Sequence, residues 1–320
     1  MIGRADVEAA RARVAGVLRP TPVDRSDSLS RLAGRPVLLK PEHLQRTGSF
    51  KIRGAYNFLA AIDPAVTDVV AGSAGNHAQG VALAASLTGR RATVFMPTGA
   101  SLPKVEATRG YGAEVRLTGD SVDDCVAAAR EHAAATGAVL VPPFDDPLII
   151  AGQGTIGLEI AEEAPEATTV VVPIGGGGLI SGIAAALAAV RPGTRVVGVE
   201  AAGAATMRTA LDAGRCVQVP VLATMADGIA VRSASELTLR HVQALVDDVV
   251  TVTEEEISAA ILLLLERAKA VVEPAGAVAL AAVLNGSAGG TGPVVAVLSG
   301  GNVDPQLLIK LIDHGLSSAG

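Results

Sequence analysis

Short runs rich in β-branched residues alternate along this chain with Ala-rich stretches, and that alternation restricts the fold more than any other feature. The runs are Val37–Lys40, Val69–Ala71, Ala92–Met96, Glu114–Leu117, Val139–Val141, Thr169–Pro173, Arg195–Val199, Val249–Val252 and Val294–Ser299. Between them lie candidate helices such as Gly80–Thr88, Asp123–Thr136, Ser181–Val190 and Glu254–Ala270. Thr253-Glu-Glu-Glu256 has the form of a capping box opening the last of these. Parallel strands need a crossover between them, and a helix supplies it. The pattern therefore reads as α/β with parallel sheets. No period of 20–50 residues recurs, so repeat architectures are excluded.

Several strands run directly into glycine turns, at Ala71-Gly72, Pro173-Ile-Gly175 and Leu298-Ser-Gly300. Ligands of open α/β sheets collect at the carboxyl ends of strands, where such turns lie. Three of them, far apart in sequence, point to one shared site.

Composition removes other classes of function. The net charge of −6 offers no basic field for a phosphate backbone, and aromatics at 2% offer no stacking platform, so nucleic acid is not an expected partner. Hydrophobic residues at 49% against charged residues at 18% describe a globular chain. Cys125 and Cys216 belong to no C-x-x-C pair and read as inert thiols. The N-terminal M-I-G-R-A-D-V-E-A-A is charged, and no apolar run approaches membrane-spanning length. A cytoplasmic protein with no membrane partner is expected. Of the 26 basic residues only Lys40, Lys51, Lys104, Lys269 and Lys310 are lysines, so amine chemistry has few places to reside.

Gly175-Gly-Gly-Gly-Leu179 follows a Val-rich run and precedes the helical stretch Ile180–Val190. Four glycines let the backbone approach a ligand and turn N–H groups toward an anion at a helix N-terminus. A phosphate cradle fits. A dinucleotide fingerprint is the rival, because Gly176-x-Gly178-x-x-Ser181 nearly matches it and Glu200 stands where a ribose-binding acid belongs. Ser73-Ala-Gly-Asn-His77 also links a strand to a helix, so its N–H groups suit a carboxylate. Asn76 has an amide to offer a ring oxygen. His77 lacks an acidic neighbour in sequence and reads as a structural histidine rather than a general base. Ser49 is placed as an N-cap, which sets Lys51 in the first turn of a helix running to Ala61. There the helix dipole and nearby Arg53 both disfavour the ammonium form, which suits an amine that attacks carbonyls. Ser299, at the carboxyl end of a strand, can hydrogen-bond a heteroaromatic nitrogen.

Taken together, S-F-K-I-R-G-A at Ser49–Ala55, S-A-G-N-H-A-Q-G at Ser73–Gly80, A-G-Q-G-T at Ala151–Thr155, G-G-G-G-L at Gly175–Leu179, V-E-P-A-G-A at Val272–Ala277 and S-G-G-N at Ser299–Asn302 closely resemble the threonine/serine dehydratase family. That family has the type II pyridoxal-phosphate fold of the tryptophan-synthase-β-like group. The motifs keep the family's order and span nearly the whole chain. The resemblance implies that pyridoxal 5′-phosphate is held covalently by Lys51, with Phe50 beside it. The cofactor phosphate would lie on Gly175, Gly176, Gly177, Gly178 and Leu179, its phenolic oxygen on Asn76 and its pyridine nitrogen on Ser299. Ser73, Ala74, Gly75, Asn76 and His77 would grip the substrate carboxylate, and Lys51 would act as base at the substrate Cα. A serine, unlike an aspartate, does not hold the pyridine nitrogen protonated, which weakens the electron sink and favours prompt loss of the β-hydroxyl.

The expected reaction is elimination of water from a 3-hydroxy amino acid, converting L-threonine to 2-oxobutanoate and ammonia, and L-serine to pyruvate and ammonia. Other β-hydroxy amino acids, such as 3-hydroxyaspartate or phenylserine, are alternative substrates that neither Ser73–His77 nor Phe144 separates. Serine racemases of this fold place a serine just before the Gly-Asn-His. Ala74 stands there, so little racemase activity is expected. Thr206 stands where those relatives carry an acidic metal ligand near Glu200, so no divalent metal site is expected, although Glu200 and nearby carbonyls remain a candidate for a monovalent ion. A nicotinamide-dependent oxidoreductase and a non-catalytic binding protein are the readings left from other classes. The resemblance further implies two domains, each an open, mostly parallel twisted sheet with helices on both faces. Residues 1–53 and 145–320 would form the larger, cofactor-binding domain and 54–144 a small mobile one, with the cofactor between them. It also implies a homo-oligomer, dimer or tetramer, and a short catabolic form without isoleucine feedback.

Overall fold

In the computed structural model, which describes residues 1–220 and 223–318, ten strands form two sheets. The strands are β1 (Asp24–Arg25), β2 (Val37–Lys40), β3 (Asp68–Gly72), β4 (Arg91–Met96), β5 (Glu114–Leu117), β6 (Val139–Leu140), β7 (Thr169–Pro173), β8 (Arg195–Ala201), β9 (Asp248–Val252) and β10 (Val294–Val297). One sheet runs β1-β2-β10-β7-β8-β9 and the other β5-β4-β3-β6. Every pairing is parallel except β1 with β2. The central β7, β10 and β2 are buried along their whole length. That is the physical reason for their nearly continuous apolar runs, interrupted only at the ends by Lys40 and Thr169: both faces of a parallel sheet are covered by helices. Each buried Val or Leu there contributes about 1.5–3 kcal/mol of transfer free energy.

The smaller sheet is built entirely from residues 68–140, and the larger from segments before and after it. The chain thus leaves the larger sheet after β2 and returns to it at β7. Three helices connect the two. Lys51–Ala61 packs on Asn76–Leu87 from the small-sheet side and on Pro147–Glu163, which in turn packs on Gly178–Val190. Small residues bring these helices close. A Cβ on Gly152 would stand 2.6 Å from the Arg53 carbonyl oxygen, and one on Gly182 would meet the Gly154 amide at 2.5 Å. Gly152→Ala would push Lys51–Ala61 off its seat.

Several details differ from the sequence expectations, among them the helix expected from Gly80, which begins at Asn76. The two-residue β1, antiparallel and made of charged residues, is an addition that no periodicity announces. The long helix expected over Glu254–Ala270 is α-helical only to Leu263, after which residues 264–268 form a π-turn closed by Lys269 at φ +56°. The helix expected from Ile180 begins at Gly178. The Thr253 capping box is present, with Thr253 Oγ1 accepting from Glu256 N and Glu256 from Thr253 N. Among the described residues no helix is long and apolar enough to cross a membrane.

Candidate active site

The segment carrying Lys51 is laid along the turn after β10. Ser49 is extended and bridges Gly300, Phe50 N donates to the Ser299 carbonyl at 3.1 Å, and Gly301 N donates to Gly48 O at 2.9 Å. The helix opens at Lys51 with Phe50 as its N-cap. The expected Ser49 cap is therefore corrected: the backbone pairing with Gly300 commits Ser49, whose buried hydroxyl finds no partner. Phe50 packs against the core cluster that contains Leu179 and Ile180.

Lys51 Nζ donates to the Pro143 carbonyl at 2.8 Å and stands 5.3 Å from the Phe50 ring centre. Loss of hydration pushes its pKa down to about 8, against the opposing pull of Glu273. Arg53 plays no part in this, contrary to expectation. Its guanidinium turns away from Lys51, is fully buried, and is neutralised by Glu42 at 2.7 Å and Glu159 at 2.6 Å.

Asn76 opens the helix Asn76–Leu87, with Gly75 as N-cap. The helix lies directly on the Lys51 backbone, since a Cβ on Gly80 would be 3.2 Å from the Lys51 carbonyl carbon. In Ser73–His77 the Ser73 amide is committed to Phe95 O, and Gly75 N donates to Ser73 Oγ at 3.3 Å. His77 Nε2 donates to the Val141 carbonyl at 3.0 Å. Burial, and then Lys51, push its pKa down to about 3. That leaves a neutral imidazole whose Nε2 is committed to backbone.

The Asn76 amide is held by two groups that sequence reasoning left without a role. Its Nδ2 donates to Glu273 Oε1 at 2.5 Å, and its Oδ1 accepts from Asn302 Nδ2 at 2.7 Å. Asn302 Nδ2 also donates to the Thr47 carbonyl at 2.7 Å, steadying a residue at φ +67°. Glu273 is 6% exposed, and burial pushes its carboxyl up to about 7 while Asn76 opposes. The available sequence signal was that Glu273 borders the long charge-free stretch Pro274–Val303. Ser299 is buried, with Oγ 3.5 Å from Ala275 O. A cavity of about 410 Å³ opens beside this cluster, lined by Ala74, Lys104, Asp227, Glu273 and Asn302 among others. Lys104 and Asp227 pair across it at 3.2 Å.

The glycine turn Gly175–Gly178 follows β7 and feeds the helix Gly178–Val190, whose N-cap is Gly177 at φ +90°. No side chain caps this helix, so its first-turn N–H groups are left for a ligand. The Ser181 hydroxyl in that turn is buried without a hydrogen-bond partner among the described residues. The Leu179 side chain belongs to the core, so only its backbone faces the turn. Pro143 and Phe144 link this turn to Lys51. Phe144 fills the space that a Cβ on Gly176 would take.

The dinucleotide reading fails at Glu200. Its two oxygens accept from Met207 N at 2.7 Å and Arg208 N at 2.9 Å, so the carboxylate caps the helix Thr206–Ala213. Thr206 Oγ1 donates to Val231 O at 2.6 Å. Among the described residues no group of three or more His, Cys, Asp or Glu is disposed to hold a metal ion.

Three strand-end turns, an uncapped helix N-terminus suited to an anion, and an amine whose pKa is lowered to about 8 are the parts of an α/β enzyme site that joins anion binding to amine chemistry. The profile of the pyridoxal-phosphate dependent enzyme family matches residues 14–300, and the chain belongs to that family. Its cofactor is pyridoxal phosphate. An L-threonine ammonia-lyase of Geobacter sulfurreducens is 49% identical over 317 residues, covering 98% of this chain and 79% of the relative. Among solved structures, the processed form of a threonine deaminase from Solanum lycopersicum is 37% identical with a TM-score of 0.93, covering 98% of this chain and 88% of the other. A maize serine racemase is 36% identical with a TM-score of 0.92, covering 99% and 98%. The expected type II fold is borne out.

Proposed function

We propose that this chain deaminates L-threonine to 2-oxobutanoate and ammonia, and L-serine to pyruvate and ammonia, by losing water from the substrate and regaining it as ammonia leaves. The observation that carries the reading is the Lys51 amine, lowered to about 8 and set between the glycine turn and the Ser73–His77 turn. The threonine ammonia-lyase at 49% identity supports the same choice of substrate. Pyridoxal phosphate, when bound, supplies the electron sink for the pair left when the Cα proton departs. Lys51 Nζ, its pKa lowered to about 8, takes that proton. Backbone N–H groups at the start of Asn76–Leu87 would hold the substrate carboxylate, and Asn76 would meet the phenolic oxygen of the ring. The first-turn amides of Gly178–Val190 would hold the phosphate. Ser299 would meet the pyridine nitrogen with a hydroxyl and no negative charge, so nothing on its side chain would hold a proton there.

The maize serine racemase at TM-score 0.92 keeps racemisation in view. Ala74 argues against it, because a methyl group cannot deliver a proton to the face opposite Lys51. Release of ammonia and 2-oxo acid from a panel including L-threonine, L-serine, 3-hydroxyaspartate and phenylserine tests the proposal, with Lys51→Ala as control. L-Threonine should lead and the control should be inactive. A silent threonine reaction, or an active control, sinks the reading.

The same reading takes residues 54–144 as a unit that closes over substrate, supported by the confinement of β3–β6 to residues 68–140. It places the enzyme in the cytoplasm as a dimer or tetramer, for which light scattering is the direct measurement.

A further inference from the structure

Residues 141–146 form a strap from β6 to the helix Pro147–Glu163, and it meets His77, Lys51 and the glycine turn in order. The Val141 carbonyl accepts from His77 Nε2 at 3.0 Å, and the Pro143 carbonyl accepts from Lys51 Nζ at 2.8 Å. Asp146 anchors the far end by capping the next helix through Leu148 N at 2.7 Å. Between these lies Phe144, half-buried, on the glycine turn.

Of the four glycines in that turn only Gly177 has a left-handed backbone, at φ +90°. Gly176 and Gly178 are not required for backbone freedom. What they provide is room. A Cβ on Gly176 would run into the Phe144 ring, and one on Gly178 would lie 2.9 Å from the Phe144 Cβ and 3.1 Å from its Cα. The ring and the backbone of Phe144 are thus both seated, so a χ rotation alone does not free the residue. A single peptide unit connects that seat to the carbonyl holding Lys51.

We propose that Phe144 is a positioning residue for Lys51: seated on Gly176 and Gly178, it fixes the Pro143 carbonyl, and so sets the lysine amine at a defined distance from the glycine turn. A neutral amine that donates one N–H to this carbonyl keeps its lone pair free. The strap therefore aims the amine without blocking it. The desolvation that lowers the amine to about 8 is in keeping with a ring that keeps water from this corner. This inference rests on the assignment of Lys51 and Gly175–Leu179 to the cofactor.

The test is a double-mutant cycle on the full chain, with Phe144→Ala, Gly176→Ala and the pair. Each protein is stripped of cofactor and titrated with pyridoxal phosphate while the visible absorbance band is followed. Gly176→Ala should weaken binding by about tenfold, because its methyl meets the ring. Phe144→Ala should weaken it by about threefold, and the pair should be no weaker than Phe144→Ala alone, a non-additivity of about tenfold. Losses that simply multiply would overturn the proposal. Circular dichroism checks folding, and if Gly176→Ala does not fold, Phe144→Leu stands in for it. That variant should lower kcat for ammonia release while KM stays within about twofold. A Phe144→Leu enzyme with wild-type kcat and wild-type cofactor affinity would equally refute it. Lys51→Ala separates the two levels of inference. If it keeps the band, the site assignment fails, whereas multiplicative Phe144 and Gly176 losses with a colourless Lys51→Ala protein sink only the role of Phe144.

Discussion

Replacing Arg53 should cost more stability than any other single change on the helix that carries Lys51. Its guanidinium is fully buried and its five N–H groups reach six acceptor atoms, one hydrogen being shared: Nε to Glu42 at 2.8 Å, two nitrogens to Glu159 at 2.6 and 2.8 Å, and the rest to Glu42, Thr21 and Thr155. Glu42 is itself fully buried, and without Arg53 its carboxylate keeps, among the described residues, only the Thr21 hydroxyl at 2.6 Å. Glu159 keeps Lys40 at 2.6 Å. The cost of Arg53→Met therefore falls on one stranded carboxylate. Breaking a buried pair from one side costs about 3–5 kcal/mol. Arg53→Lys keeps the charge but not the fork that reaches two carboxylates and two hydroxyls, so about 2 kcal/mol is expected. Adding Glu42→Gln to Arg53→Met removes the stranded charge and should restore part of the loss. Urea unfolding followed by circular dichroism, at equal m-values, measures all four proteins. The pH dependence supplies a second check. Burial pushes Glu159 up, but the Arg53 hydrogen bond and charge, with Lys40, hold it below its ordinary 4.5. A depressed acid stabilises above its unfolded pKa and ceases to do so as pH falls through its folded pKa. The gap between wild type and Arg53→Met should thus be widest at neutral pH and narrow below pH 4.5. An Arg53→Met protein within about 1 kcal/mol of wild type, or a gap that does not narrow in acid, would refute the reasoning.

Glu200, pushed by burial up to about 7, holds a proton in the fold where the unfolded chain at 4.5 does not. Stability should therefore fall by about 3 kcal/mol as pH rises through that window, at about 1.4 kcal/mol per unit, and Glu200→Gln should flatten the curve in a pH series of urea melts. Ala74→Ser restores a hydroxyl just before Gly75, and D-serine should accumulate from L-serine on chiral chromatography; its absence would show that Ala74 does not face the substrate. Glu273 raises the Lys51 pKa, so Glu273→Gln should shift the pH midpoint of visible-band formation downward.

The parts legible in the sequence are those with local causes. β7 reads as Thr-Val-Val-Val-Pro because a strand covered on both faces needs apolar residues throughout, and the structure has it at those residues. The Gly175 turn is legible because only Gly177 tolerates its left-handed backbone and Gly176 must admit a neighbour. The parts not legible depend on residues distant in the chain. Asn76 meets Glu273 across 197 positions and Asn302 across 226, and no local pattern announces either contact. The π-turn after Leu263 is similar. No Gly or Pro marks it, and the helix changes pitch where Lys269 adopts φ +56° just before the Val271–Glu273 segment enters the site.

Lys51 and Arg53 show why residue types alone mislead here. Both are cations in the first turn of one helix, where the dipole opposes positive charge, and sequence treats them as mutual perturbants. Two residues apart, they lie about 200° around the helix from each other, so the fold sends them to different surroundings. Arg53 enters the packed junction between β2 and the helix Pro147–Glu163, where Glu42 and Glu159 neutralise it. Lys51 enters the gap between the sheets, where a peptide carbonyl and an aromatic ring are its neighbours and no carboxylate reaches it within ion-pair distance among the described residues. A guanidinium given two acids stays charged and locks the helix in place. An amine given a carbonyl and only the distant charge of Glu273 loses more by dehydration than it regains, so its pKa falls to about 8 and it becomes a better nucleophile. The reactivity of Lys51 thus depends on the helix being held from its opposite side, and it follows that Arg53 variants should lose cofactor affinity along with stability.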